Sequence, residues 1–575
     1  MPHSLQFGEA STPVHQYKLK VPKGARSQRN WLLLAARDKE FALGRLMRVD
    51  GPEMWLFKPG QFLPWFELWR SLADVPTGGL KYWLVGWRMA FALDRADLVE
   101  ALNGGLVQLP KIRIGKNKGR HGGKLTINPR ITEVDLVAGA NKIKALDLQN
   151  FGVDDEHFTP GLDQVDTEHV RSGVMALSLL GDLTEISINK STAAQIGWTA
   201  CRARLPADKL YINCDPNCRS LERRAYHAGR NEAFFLGDCP GTTYSLDMAS
   251  CYANICLKES LPCQMIEQFD HGLDLAAINV MGNDHWIADC VIRTEEPDYP
   301  LRWNGKPIFP VGTFATSLPW PELSHALRNG RVVKIGRAAR YKAAPIFALY
   351  AQWYLNARQA FKADFLAPSA SMLKSIFNSS LGFTAREKYE WQPWQTAIGF
   401  RYWLGHVKSP DDMASLVAAQ VLDDESRWLR VAGEPREAMP FLHATITSYA
   451  RVQLAEIIRW AGSQNVLYCD TDGVLVNHAG ASALSADGSG QGFYWCGLVE
   501  RFPPGAARIN GQKNYRIGSN VIHAGAVKTR YSATLRKRVL KTDEGRTGPT
   551  GRVEPLRFVV DNLESEDLKW LNVEA

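Results

Sequence analysis

No stretch of the sequence approaches the roughly 18 consecutive apolar residues that a membrane-spanning helix needs, so no such span is expected. The opening residues, MPHSLQFGEASTPVHQ, lack the charged-then-apolar pattern of a secretory leader. Long low-complexity tracts are also missing, which excludes a largely disordered chain. The ten cysteines (Cys201, Cys214, Cys218, Cys239, Cys251, Cys256, Cys263, Cys290, Cys469 and Cys496) show no framework of paired spacings. Scattered thiols in apolar segments fit a reducing, cytoplasmic setting. Cys214, Cys218, His227 and Cys239 could be imagined around zinc, but no second close pair of ligands follows them. The glycine-rich run Gly119–Lys124 has Lys118 where a phosphate-binding loop needs its first glycine, which excludes a Walker cradle. A large charge imbalance is missing too. The net charge of +8 is compatible with a polyanionic partner without requiring one, and the basic residues concentrate in Lys111–Lys124 and Lys528–Lys541.

The chain does have length and apolar content. At 575 residues and 45% hydrophobic it can bury large cores, enough for about three or four domains. The first 225 residues read as α/β. Trp31–Ala36 and Tyr82–Val85 are predicted strands, Leu56–Ala73 a tryptophan-rich helix, a helical pattern runs on to Leu102, and short strands fill 105–150. Three later stretches carry chemistry. Asn465–Asn477 reads as a buried hairpin, two apolar runs around the turn Asp470-Thr471-Asp472-Gly473. Carboxylates at a buried hairpin tip cost several kcal/mol unless a cation answers them. Thr243–Asn254 reads as a strand running into a helix, with Asp247 at the strand's end, where it would add a third carboxylate suited to a divalent metal. Between them, Lys374, Asn378 and Leu381 fall at helical spacing on one predicted face: a cation, a small polar group and an apolar surface suited to a nucleotide.

Taken in order, these stretches resemble family B DNA polymerases over roughly Tyr226 to Leu540. Asp247–Asn254 is similar to that family's D-x-x-S-L-Y-P-S motif, and Lys374–Gly382 to its K-x-x-x-N-S-x-Y-G motif, with Leu381 in place of Tyr. Tyr468–Gly473 is similar to Y-x-D-T-D-S, with Gly473 in place of Ser. Tyr226–Gly229 resembles the Y-x-G-G/A linker motif, and Lys528–Tyr531 the primer-contacting K-x-Y element with one extra residue. The segment Pro310–Leu327 looks like the viral, plasmid and organellar branch, many of whose members start synthesis on a terminal (priming) protein.

The resemblance implies an α/β right-hand polymerase of palm, fingers and thumb behind a degenerate RNase H-like exonuclease domain. It divides the chain into an exonuclease-like domain over 1–225, palm over 226–260 and 440–499, a palm and terminal-protein-region-1-like segment over 261–344, fingers over 345–386, a terminal-protein-region-2-like insertion over 387–439, and thumb over 500–575. It also implies two Mg²⁺ ions, replaceable by Mn²⁺, on Asp247 and Asp472, with Asp470 supporting and Lys374 stabilising the departing pyrophosphate. Tyr252, Asn378, Leu381 and Arg358 would meet the dNTP, with Tyr252 excluding a 2′-hydroxyl. Tyr226, Gly229, Lys528 and Tyr531 would contact primer-template DNA. Gly473 and Leu381 depart from the motifs without removing a metal ligand, so altered fidelity is expected rather than inactivity. The exonuclease carboxylates are poorly matched: Asp38-Lys39-Glu40 could be a remnant of the first motif, while Gly86–Phe91 and Glu168–Val174 lack the ligands of the second and third. Proofreading is therefore not expected. The competing reading is a catalytically silent polymerase-fold protein that binds nucleic acid or a priming protein, against which the retained Asp247, Lys374, Asp470 and Asp472 argue.

Overall fold

The computed structural model describes residues 192–206, 209–270, 273–278, 280–303, 306–363, 367–392, 425–485 and 497–523. It also describes strands at 16–18, 30–37, 40–46, 53–55, 63–64, 82–86, 123–127, 134–138, 141–147, 164–165, 395–396, 402–408 and 416–422, and residues 176, 180, 181, 184, 551–553, 555, 557 and 558. The chain divides into two compact units, one of residues 1–20, 205–352 and 436–575, the other of 21–204 and 353–435.

The first unit is organised by a five-stranded sheet. Its strands are β1 (Asn231–Ala233), β2 (Thr243–Met248), β3 (Val466–Asp470), β4 (Gly473–Asn477) and β5 (Leu498–Gly505), in the order β1-β3-β4-β2-β5. β3 and β4 are each buried at four consecutive positions, so they read as continuous apolar runs rather than alternating ones. The helix Pro440–Ala461 starts with proline in its first turn, is capped by Gly462 and is buried along most of its length. Helices Pro216–Arg224, Cys251–Lys258, Trp320–Arg328 and His478–Leu484 pack against it. A second sheet runs 520–523, 514–517, 507–511, 235–238 and 551–552. A third runs 261–269, 332–344, 284–294, 311–319 and 557–558, over a core that includes Phe269, Trp286, Phe314, Leu318 and Trp320.

In the second unit, strands 30–37, 82–86 and 141–147 lie side by side in parallel within a nine-stranded sheet. The predicted strands at 31–36 and 82–85 and those within 105–150 are present. The helix predicted over 56–73 is corrected at Leu63–Pro64, which pairs as strand with Glu40 and Phe41. Pro64 lacks the N–H that an interior helical position must donate. The remainder of that stretch lies outside the described residues, as do Asp38, Lys39, Trp87–Phe91 and Glu168–Val174. Among the described residues no helix is long and apolar enough to cross a membrane. The nine described cysteines are free thiols, and Cys214, Cys218, His227 and Cys239 form no metal-binding group.

One carboxyl in the first unit is fully sequestered. Glu222 accepts hydrogen bonds from Tyr341 Oη at 2.8 Å and Asn213 Nδ2 at 3.1 Å. Burial pushes it up to about 7, against the lowering effect of those bonds and of the Arg219 charge. The folded chain thus keeps a proton that the unfolded chain releases near the ordinary value of 4.5. Its contribution to stability is complete below that value and is lost as pH rises through about 7. The unfolding midpoint is expected to fall between about pH 5 and about pH 8 more steeply in the wild type than in Glu222→Gln. Identical slopes in paired thermal melts would refute this.

Candidate active site

The carboxylates are placed by strand register. Asp247 on β2 and Asp470 on β3 both pair with Gly473, one from each side of β4. The Met248 N–H donates to the Asp472 carbonyl at 2.6 Å, so the backbone of Asp472 is tied to β2 directly beyond Asp247. Between Asp470 and Asp472, Thr471 takes a left-handed conformation, φ 59°. That conformation is uncommon for a β-branched residue and is held by its surroundings. The Thr471 N–H donates to the Arg230 carbonyl at 2.6 Å, and the Asp472 N–H to the Asp470 carbonyl at 2.6 Å.

Gly473 has a different role from the one its identity suggests. Its φ is not in the left-handed region, but a Cβ there would overlap the Asp247 carboxylate. The glycine provides room for the carboxylate. Gly229 does the same on the other side, where a Cβ would lie 2.7 Å from Thr471 Oγ1.

The carboxylates differ in what answers them. Asp470 accepts from Asn231 Nδ2 at 3.1 Å and Thr471 Oγ1 at 3.3 Å, and pairs with Lys513 Nζ at 2.9 Å, its side chain 16% exposed. Asp247 is 27% exposed and lies 3.6 Å from Arg501 Nη1. Asp472 adds negative potential nearby: burial first and then its charge push the Cys251 thiol up to about 12, and the Tyr252 phenol is raised by burial, then by Cys251 and Asp472. The Tyr515 phenol is pushed up to about 12, chiefly by burial, with Asp470 and Asp247 adding to the rise. Acidic oxygens of this kind suit a hard cation such as Mg²⁺, which keeps water or substrate oxygens in its remaining positions. Among the described residues no group of three or more His, Cys, Asp or Glu side chains gathers that could hold a metal ion, so a cation here would rest on two carboxylates and on water or substrate oxygens.

The segment Tyr226–Gly229 is packed against this turn. Tyr226 meets His443 edge-on at 5.1 Å between ring centroids, and the Tyr252 ring lies 6.4 Å from the same imidazole. His227 Nε2 bonds to the Ser317 carbonyl at 2.8 Å. Burial and the Arg451 charge hold His227 down to about 3, so the ring is neutral. Ala228, also left-handed at φ 62°, gives its carbonyl to Arg451 Nη1. Arg451 in turn forks onto Glu322 at 2.7 and 2.6 Å, both side chains 1% exposed.

Asp247, Asp470, Asp472, Tyr252, Tyr226 and Gly229 are thus brought together within the first unit. Lys374, Asn378, Leu381 and Arg358 belong to the second. There the helix Ala367–Thr384 confirms the helical spacing but splits the expected face. Lys374 and Asn378 are exposed, while Leu381 is 1% exposed because its apolar side chain is drawn into the core. Arg358 lies on the helix Ala348–Ala363, its guanidinium 6.0 Å from the Tyr354 ring. Lys528 and Tyr531 lie outside the described residues. The structure points to another K-x-Y at Lys513-Asn514-Tyr515, whose spacing needs no extra residue and was legible in the sequence. Lys513 pairs with Asp470, its N–H donates to Tyr468 Oη at 2.9 Å, and the Tyr515 ring lies 4.8 Å from that of Tyr468. Arg451, Glu322 and Asn231 had no comparable sequence signal.

Removing one member of the Arg451–Glu322 pair leaves the other charged and buried. Arg451→Met and Glu322→Gln are each expected to lower the unfolding free energy by about 3–5 kcal/mol, and the double Arg451→Met/Glu322→Met by less than the sum. Additive losses in denaturant titrations would mean that the pair is not coupled.

The fold has solved counterparts. Phi29 DNA polymerase complexed with primer-template DNA and incoming nucleotide substrates matches with a TM-score of 0.55 and 12% identity, over 89% of this chain and 94% of that one. Its post-translocation binary complex with primer-template DNA matches with a TM-score of 0.57 over the same shares, also at 12% identity. Its complex with single-stranded DNA gives 0.55 and 12%, over 87% and 90%. No protein-family model and no curated protein matches the sequence. The chain therefore has a mixed α/β polymerase fold, similar to that of Phi29 DNA polymerase over most of its length.

Proposed function

We propose that the chain is a DNA-directed DNA polymerase that, directed by a DNA template, transfers deoxynucleoside monophosphates from their triphosphates to a hydroxyl and releases pyrophosphate. The observation that carries this reading is the approach of two distant segments of a polymerase fold: Asp247 on β2 pairs with Gly473, its carboxylate in the space that glycine leaves, and Asp472, in the turn just before, accepts the Met248 N–H on its carbonyl. The similarity to structures holding primer-template DNA and nucleotides supports the same partners here.

Asp247 and Asp472 would hold Mg²⁺, which when bound supplies Lewis acidity toward the attacking hydroxyl and charge neutralisation at the triphosphate. The chain's own residues do the positioning. Asp470, already answered by Lys513 and Asn231, holds the turn in shape. Tyr252, half-buried in the first turn of the helix Cys251–Lys258, would stand against the sugar's 2′ position. Lys374, exposed on its helix, would meet the triphosphate. The hydroxyl belongs to a primer 3′ end or to a priming protein, and a labelled protein adduct distinguishes the two.

Asp247→Asn and Asp472→Asn are each expected to reduce single-nucleotide incorporation on a primed template by several orders of magnitude while retaining DNA binding in a gel-shift assay. Near-normal turnover in either variant would remove the site assignment, and an inactive wild type that still binds DNA would favour the silent reading. Tyr252→Ala is expected to raise ribonucleotide use relative to deoxyribonucleotide use; an unchanged ratio would place the sugar gate elsewhere. We further propose that 3′–5′ proofreading is absent, on the sequence departures at the three exonuclease motifs. Mismatched 3′ ends should then remain uncut in Mg²⁺ or Mn²⁺, and cleavage lost on deleting 1–225 would overturn this.

A further inference from the structure

Arg230 is one of the largest fully buried side chains of the protein, and the turn chemistry above uses only its backbone carbonyl. Its guanidinium lies 4.2 Å from the Phe309 ring centroid and 5.5 Å from that of Phe234. Nε and Nη2 donate to Glu232 Oε2 at 3.0 and 2.7 Å. Taking a guanidinium out of water costs several kcal/mol, and an apolar side chain of similar shape would fill such a site with no such cost. The charge therefore calls for a role beyond packing.

The role is legible in what β1 has to do. At three residues, on the edge of the sheet, β1 has little hold of its own. Yet this segment supplies two bonds that shape the carboxylate turn: the Arg230 carbonyl accepts from Thr471 N–H, and Asn231 Nδ2 donates to Asp470. Residues two apart on an extended segment share a face, and the residue between them faces the other way. The Arg230–Glu232 pair therefore braces the segment from one side and leaves Asn231 directed at Asp470 on the other.

We propose that Arg230 is a positioning residue for the carboxylate turn, acting through β1; the inference rests on the reading of Asp247 and Asp472 as a Mg²⁺-binding pair. The test compares the full-length wild type with Arg230→Met, Arg230→Lys and Glu232→Gln. Mn²⁺ binding is followed by the electron paramagnetic resonance of the free ion, beside thermal unfolding and the Mg²⁺ dependence of single-nucleotide incorporation. Arg230→Met is expected to remain folded, to bind Mn²⁺ about tenfold more weakly and to need correspondingly more Mg²⁺, with KM for the nucleotide little changed. Arg230→Lys, which can still pair with Glu232, should recover most of the affinity. A folded Arg230→Met with wild-type Mn²⁺ affinity and Mg²⁺ dependence would overturn the proposal. If Arg230→Met fails to fold, Glu232→Gln decides, since it weakens the brace at a partly exposed position. Weaker Mn²⁺ binding there supports the role, and unchanged binding overturns it. A wild type that binds Mn²⁺ through Asp472 without incorporating nucleotide would overturn the polymerase reading, while the affinity comparison still decides the role of Arg230.

Discussion

The buried pair of Glu322 and Arg451 is the constraint on which the rest of the site depends. Two charges at 1% exposure survive only because the guanidinium forks onto the carboxylate and its remaining hydrogens find the Ala228 carbonyl and Thr447 Oγ1. Through Ala228 the pair reaches Gly229, which touches Thr471, which stands between the two carboxylates of the hairpin. Helix Trp320–Arg328, helix Pro440–Ala461 and the segment Tyr226–Gly229 thereby share one polar anchor. Such a pair adds little net stability over an apolar isostere, but it admits one arrangement where apolar contacts would admit several.

Backbone strain collects at the same place. Ala228, Ser250, Thr471 and Lys513 are the non-glycine residues at positive φ among those described. Ala228 and Thr471 lie either side of the Gly229 contact, Ser250 opens the helix after Asp247, and Lys513 delivers its ammonium to Asp470. Each such conformation costs on the order of 1 kcal/mol and persists only where neighbours over-determine it. Their clustering marks a turn built to hold carboxylates at fixed positions. Within it the electrostatics differ: Asp470 is paired with Lys513 at 2.9 Å and bonded by Asn231, whereas Asp247 is more exposed and lies 3.6 Å from Arg501.

Much of this was legible along the chain, because the relevant chemistry is local. Apolar runs about an Asp/Gly turn specify the hairpin of β3 and β4, Asp247 at a strand end specifies β2 and its following helix, and helical spacing specifies Ala367–Thr384. Local reasoning failed where one residue outweighed the pattern, as at Pro64. Nothing along the chain says which basic residue returns to Asp470, so Lys513 carried no signal of that role; Lys528 and Tyr531 lie outside the described residues.

The sequence by itself determined the hairpin, the strand and helix around Asp247, the carboxylates, and the order in which they occur. Tertiary structure decided that Asp247 fills the space at Gly473, that Lys513 answers Asp470, and that Arg451 joins Glu322 to Ala228. Those contacts depend on register and packing between segments far apart in the chain, which leave no local periodicity to read.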